Sequence, residues 1–258
     1  MVLPVALLAS IAGAVLTMQH AARARLPVAH ATTSVLAIPL AGGPPRTLLR
    51  LQGQYAAPAG APDGTLLLTS DQAVWRVVRG RPERVGPLAS SQEPVWSPDR
   101  SRYVAWEAPA RIVVRRVDGS LVRTLTRQPG IGGVGCSSWS GTSIACVRLT
   151  NAAGGWRHDL EIWSEDGTLL RTQRLAFPFG SATVALRPDG STRVLHPAPF
   201  PVPQWTADGK TLVHVDRQGR LRANARVLLA RPGGEFGLSA DGRTVYVVRV
   251  KAATSMPK

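Results

Sequence analysis

Lysine is nearly absent from this chain of 258 residues. Lys210, Lys251 and Lys258 are the only ones among 31 basic side chains, so arginine carries almost all of the +15 net charge. The arginines are scattered one or two per apolar segment, with no basic run and no groove-sized cluster. That spread argues against a specific nucleic-acid surface and leaves a diffuse attraction to anionic surfaces such as a membrane or wall polymer. Cysteine is confined to Cys136 and Cys146, too far apart for a C-x-x-C redox pair and too few for a cysteine zinc site. No stretch after residue 30 keeps a 3.6-residue apolar period, which excludes a helical bundle.

Catalytic signatures are missing as well. No spacing gives His-Glu-x-x-His or a three-ligand zinc set, and no glycine loop opens a helix. Gly237-Leu238-Ser239-Ala240-Asp241 is a repeat turn and not a nucleophile elbow. The expectation is therefore a protein with no metal, no cofactor and no catalytic residues.

What is abundant is one phrase. Trp96-Ser97-Pro98-Asp99-Arg100 precedes Tyr103-Val104-Ala105, and Trp205-Thr206-Ala207-Asp208-Gly209 precedes Leu212-Val213-His214. Leu238-Ser239-Ala240-Asp241-Gly242 precedes Val245-Tyr246-Val247. Weaker copies surround Asp63 and Asp189, and Trp139-Ser140-Gly141 is a shortened one. A second turn, Asp118-Gly119 or Asp166-Gly167 between alternating apolar residues, is a strong hairpin signal. Two hairpins per repeat make a four-stranded blade, so the fold expected is an all-β propeller. Asp63, Asp99, Asp189, Asp208 and Asp241 are then structural turn residues, and Trp96, Trp139 and Trp205 pack between blades.

Blades are read at 51–88, 89–128, 129–176 and 200–231. A hairpin at 33–49 lacks a partner before it, and one at 237–250 lacks a partner after it. The two ends would complete one blade and close the ring. The lone hairpin at 177–199 makes six blades with one reduced, or an insertion decorating five.

The Trp-Ser-Pro-Asp phrase, with Ile38-Pro39-Leu40-Ala41-Gly42-Gly43-Pro44-Pro45-Arg46-Thr47-Leu48, resembles the repeats of TolB-like (WD-like) β-propellers over residues 33–250. The resemblance implies the propeller fold. It is weak for function, because such blades occur in periplasmic scaffolds, surface proteins and peptidase propeller domains.

Residues 1–18 carry no charge and are mostly aliphatic, which suits a signal-peptide core or a short membrane anchor. No basic residue precedes this run, while Arg23 and Arg25 follow it. The chain divides into a leader or anchor at 1–24, a linker at 25–32, the propeller at 33–250 and a tail at 251–258. Export to the periplasm, cell surface or medium follows. Cys136 and Cys146 lie symmetrically about Gly141 and would face each other across a hairpin, within disulfide reach. Two buried free thiols are the alternative.

The most suggestive functional stretch is a loop at 150–159, which presents Trp156, Arg157 and His158. Exposed Trp and Arg are enriched at binding hot spots. His214 and Asp216 could share a strand face. The reading is a monomeric, non-catalytic extracytoplasmic scaffold for a protein partner or an anionic envelope polymer. A hydrolase or lyase with a site at the central channel, and a sensory ectodomain tethered by residues 1–18, stand as alternatives.

Overall fold

Each Asp of the repeated phrase closes its own turn. Its Oδ1 accepts the backbone N–H two residues on, from Thr65, Ser101, Ser191, Lys210 and Arg243, at 2.8–3.2 Å. In three copies a hydroxyl two residues earlier donates to the same carboxylate: Ser97 to Asp99, Thr206 to Asp208 and Ser239 to Asp241. The turn is thus satisfied without outside help and reverses the chain between two strands. Glycine follows the Asp at 64, 190, 209 and 242, with φ between +66° and +79°. That is the left-handed region, which glycine enters without steric cost.

A computed structural model describes residues 31–70, 73–88, 94–107, 111–127, 134–152, 155–175, 183–187, 189–195 and 203–252. The expected leader at 1–24 lies outside these residues, and of the expected linker and tail only 31–32 and 251–252 are described. No helix occurs among the described residues.

The chain begins with β1 (Ala31–Pro39) and β2 (Arg46–Gln52). The next blade is β3 (Ala56–Gly60), β4 (Leu66–Ser70), β5 (Ala73–Val78) and β6 (Arg81–Pro87). Then come β7 (Val95–Trp96), β8 (Arg102–Glu107), β9 (Arg111–Arg116) and β10 (Leu121–Arg127). The following blade is β11 (Val134–Ser140), β12 (Ser143–Ala152), β13 (Gly155–Ser164) and β14 (Leu169–Arg174). A hairpin of β15 (Thr183–Leu186) and β16 (Thr192–Leu195) precedes β17 (Gln204–Trp205), β18 (Leu212–Val215), β19 (Leu221–Ala223) and β20 (Arg226–Leu229). The chain closes with β21 (Phe236–Leu238) and β22 (Thr244–Ala252).

These strands make five four-stranded sheets and one two-stranded sheet, β15–β16. Five blades are therefore complete.

The first and last segments form one sheet, in the order β2-β1-β22-β21. β1 pairs with β22 in unbroken register from Ala31↔Ala252 to Pro39↔Thr244. The ladder extends two residues beyond each boundary drawn from the sequence, because Ala31-Thr32 and Lys251-Ala252 satisfy each other's backbone groups.

The core is a set of layers between blades. Trp96 packs with Ala59, Leu67, Val74 and Tyr103, while Trp139 packs with Val104, Ile112, Val114 and Leu125. Side chains also stitch neighbouring blades through their backbones. Ser138 Oγ accepts from Leu186 N (3.2 Å), Glu235 from Ala57 N (2.6 Å), and the Gln204 amide bridges Phe236 O and Leu238 N (both 3.3 Å).

The inner strands β21 and β3 run parallel and touch at Gly60↔Ser239. Gly237 makes this approach possible: a Cβ there would sit 1.7 Å from Pro58 O. Gly237→Ala is expected to force the two inner strands apart and cost about 1–3 kcal/mol. Calorimetry checks this, and an unchanged Tm would show that the closure tolerates a wider gap.

Candidate functional site

The β12–β13 ladder does not stop at Leu149. β12 and β13 pair over their full length, from Ser143↔Ser164 to Ala152↔Gly155. The loop expected at 150–159 is therefore corrected to a β-ribbon, with Asn151↔Trp156, Thr150↔Arg157 and Leu149↔His158 as register pairs. Pairing satisfies backbone groups that a projecting loop would leave to solvent. Each strand of this hairpin has ten residues, against six in β8 and β9. The difference of four residues raises the ribbon by about 13 Å at the usual strand rise.

Two devices brace it. Cys136 and Cys146 stand opposite each other in the β11–β12 register and form a disulfide, with Cα atoms 3.8 Å apart. Closing a loop of that length contributes up to about 3 kcal/mol in the chain-entropy model.

The second brace is a polar stripe on one face of β13, at residues 157, 159, 161 and 163. Glu161 is buried and receives Arg148 in a fork, Nε to Oε1 at 2.6 Å and Nη2 to Oε2 at 2.9 Å. Trp163 Nε1 donates to the same carboxylate at 3.1 Å. Further out, buried Asp159 holds the half-exposed Arg157, Nε to Oδ2 at 2.7 Å. Arg157 is thus a positioned cation near the ribbon's end, and His158, one position along the strand, is half-buried.

Removing one member of a buried fork leaves its partner uncompensated. Glu161→Ala should cost about 3–5 kcal/mol in denaturant unfolding, and Glu161→Gln, which keeps an acceptor, distinctly less. Equal losses would mean that the retained acceptor contributes nothing and that the carboxylate charge carries the whole effect.

The second feature is the channel ringed by β3, β7, β11, β17 and β21, a cavity of about 70 Å³. It has room for a few waters and is small beside ordinary ligand pockets. Trp96, Trp139, Trp205 and Arg100 line it, and no Asp, Glu or His is among the lining residues. Among the described residues the indole N–H groups of all three tryptophans lack an acceptor. Arg102 lies over the Trp139 ring at 5.4 Å and Arg187 over Trp205 at 4.7 Å.

Arg100 occupies the turn position that is glycine at 64, 190, 209 and 242. Its φ is +58°, a strain of about 1–2 kcal/mol for a side chain bearing a Cβ. Nη1 donates to Ser97 O at 3.1 Å, and Nε has no acceptor. Burial lowers the guanidinium pKa to about 10, against the opposing pull of the Asp99 charge. Asp99 forms no hydrogen bond with it, since its oxygens are taken by Ser97 Oγ, Ser101 N and Ser101 Oγ. Burial works against Asp99's ionisation, yet the Ser101 and Ser97 hydroxyls outweigh it and hold the pKa below the ordinary value. The sequence signal for Arg100 was the missing glycine, which was legible but went unread.

His214 and Asp216 do not form a pair. Asp216 is engaged by Arg220 and Arg222, each at 2.8 Å. Burial opposes its charge, but the Arg220 hydrogen bond prevails and sets its pKa at about 2. His214 is lowered by burial, with Arg193 adding repulsion. Among the described residues, no cluster of three His, Cys, Asp or Glu could hold a metal.

No protein-family model matches the sequence, and a search of curated proteins by sequence finds no match. Solved structures do match in shape. An Agrobacterium tumefaciens protein assigned as TolB superposes with a TM-score of 0.62 at 17% identity, covering 86% of this chain and 99% of its own. BamB from Moraxella catarrhalis aligns over 79% of this chain and 76% of its own at 12% identity, with a TM-score of 0.36. The second likeness is too loose to carry an argument. Taken with the sheet topology, the first identifies the chain as a β-propeller of TolB-like fold.

Proposed function

We propose that the protein is an exported, non-catalytic β-propeller that serves as a monomeric protein-interaction scaffold. The observation that carries this reading is the β12–β13 ribbon, which rises above its own blade and is fixed in place before any partner arrives. A preorganised surface loses less conformational freedom on binding. The Cys136–Cys146 disulfide favours an oxidising compartment. The TolB-like fold is compatible with this reading. Among the described residues the channel lining offers no Asp, Glu or His to serve a propeller enzyme as acid or base.

We count β15–β16 as a sixth, reduced blade. Its Leu186 bonds to Ser138 on one side and its Arg187 stacks on Trp205 on the other, so it fills the place between β11 and β17. Because neighbouring inner strands are parallel, the Asp turns share one face of the ring. The ribbon and the outer ends of β1 and β22 share the other. A tether through residues 1–18 would then hold the ribbon face toward the membrane.

Arg157, with Trp156 beside it, is the proposed contact, and His158 flanks it. The double variant Trp156→Ala/Arg157→Ala should recover at least about fivefold less of the partners that wild type captures from envelope extracts. Equal recovery would remove the ribbon as the contact surface.

A further inference from the structure

We propose that the central channel is a binding site for a small oxyanion of carboxylate size, received by Arg100 and the channel tryptophans. Several independent features converge on it. The buried side-chain atoms of the lining that find no partner among the described residues are all donors: Arg100 Nε and the Nε1 groups of Trp96, Trp139 and Trp205. Trp96 and Trp139 are 5% and 7% exposed, so bulk water does not serve them. A buried donor left unpaired is costly, and proteins rarely keep four such atoms around one cavity without a use for them.

The charge has the same sense. Among the described residues Arg100 is the one titratable side chain in the lining, and Arg102 and Arg187 stack on two of the wall tryptophans. Arg102 is also paired with Glu165 at 2.9 Å, and neither Arg102 nor Arg187 is among the lining residues, so Arg100 is the cation of the described lining. Asp99, its neighbour in the same turn, is committed to Ser97 and Ser101.

The backbone adds a third argument. Four sibling turns use glycine where this one accepts a left-handed arginine. Strain of that kind is kept where the side chain has work to do. The cavity, about 70 Å³, accommodates a carboxylate group and little more. Either a free anion or the terminal carboxylate of a peptide could supply that group. The proposal stands on the channel alone and does not depend on the ribbon.

The test is a titration followed through the indole ¹H–¹⁵N resonances at constant ionic strength, with chloride as the replaced ion. Acetate is the first probe. A short peptide ending in a free α-carboxylate, and the same peptide as its amide, are the second and third. The indole resonances of Trp96, Trp139 and Trp205 should shift and saturate. Those of Trp75 and Trp163, already donating to Ser70 O and Glu161, should not. Arg100→Gly restores the turn's usual residue and so should fold at least as well, yet weaken binding by roughly tenfold or more. The exposed variant Arg171→Ala should leave it unchanged.

Tighter binding of the free-acid peptide than of acetate or the amide names a chain terminus as the source. Equal binding of acetate and the free acid names the free anion. No saturable shift in wild type, or the same shift in Arg100→Gly, overturns the proposal.

Discussion

Everything in this molecule depends on the ring being closed by its own two ends. A blade buries one face against the blade before it and the other against the blade after it, so an open array would leave two apolar faces and two unpaired strand edges in water. The β1–β22 ladder prevents that. It places Val35 and Val248 in one interblade layer and Ile38, Val245 and Val247 in the next. Gly237 and Gly60 then let β21 and β3 meet closely enough for the closing layers to stay dry.

Against that scaffold, the repeated Asp turn is informative mostly where it fails. Regular copies spend their carboxylates on their own backbone and leave nothing for chemistry. The shortened copy at Gly141 aligns Cys136 with Cys146, and the hairpin that follows it outgrows the others into the ribbon. The copy at Asp99 swaps its glycine for Arg100 and directs a cation toward the channel. Departures from the repeat therefore mark both candidate sites.

The blade pattern, the completion of one blade from both ends and the facing cysteines were legible because each rests on spacing along the chain. Period-two alternation and Asp-Gly turns are local signals. The ribbon was misread because Asn151, Gly154 and Gly155 look like a loop, whereas cross-strand pairing with 155–157 overrides local preference. Arg148 with Glu161 was not legible, since their encounter depends on a hairpin register that runs unbroken across that apparent loop. The Gly237–Pro58 approach joins residues from opposite ends of the chain, and no sequence period announces it. The channel's lining was not legible for the same reason: it draws two to five residues from each of five blades.

Native-state hydrogen exchange tests the closure most directly. If the ring is one cooperative unit, the amides of β1 and β22 exchange with the same free energy as those of the central strands β4 and β8. Opening of β1 and β22 several kcal/mol below the other blades, while β4 and β8 stay protected, would contradict a fold that depends on its joined ends.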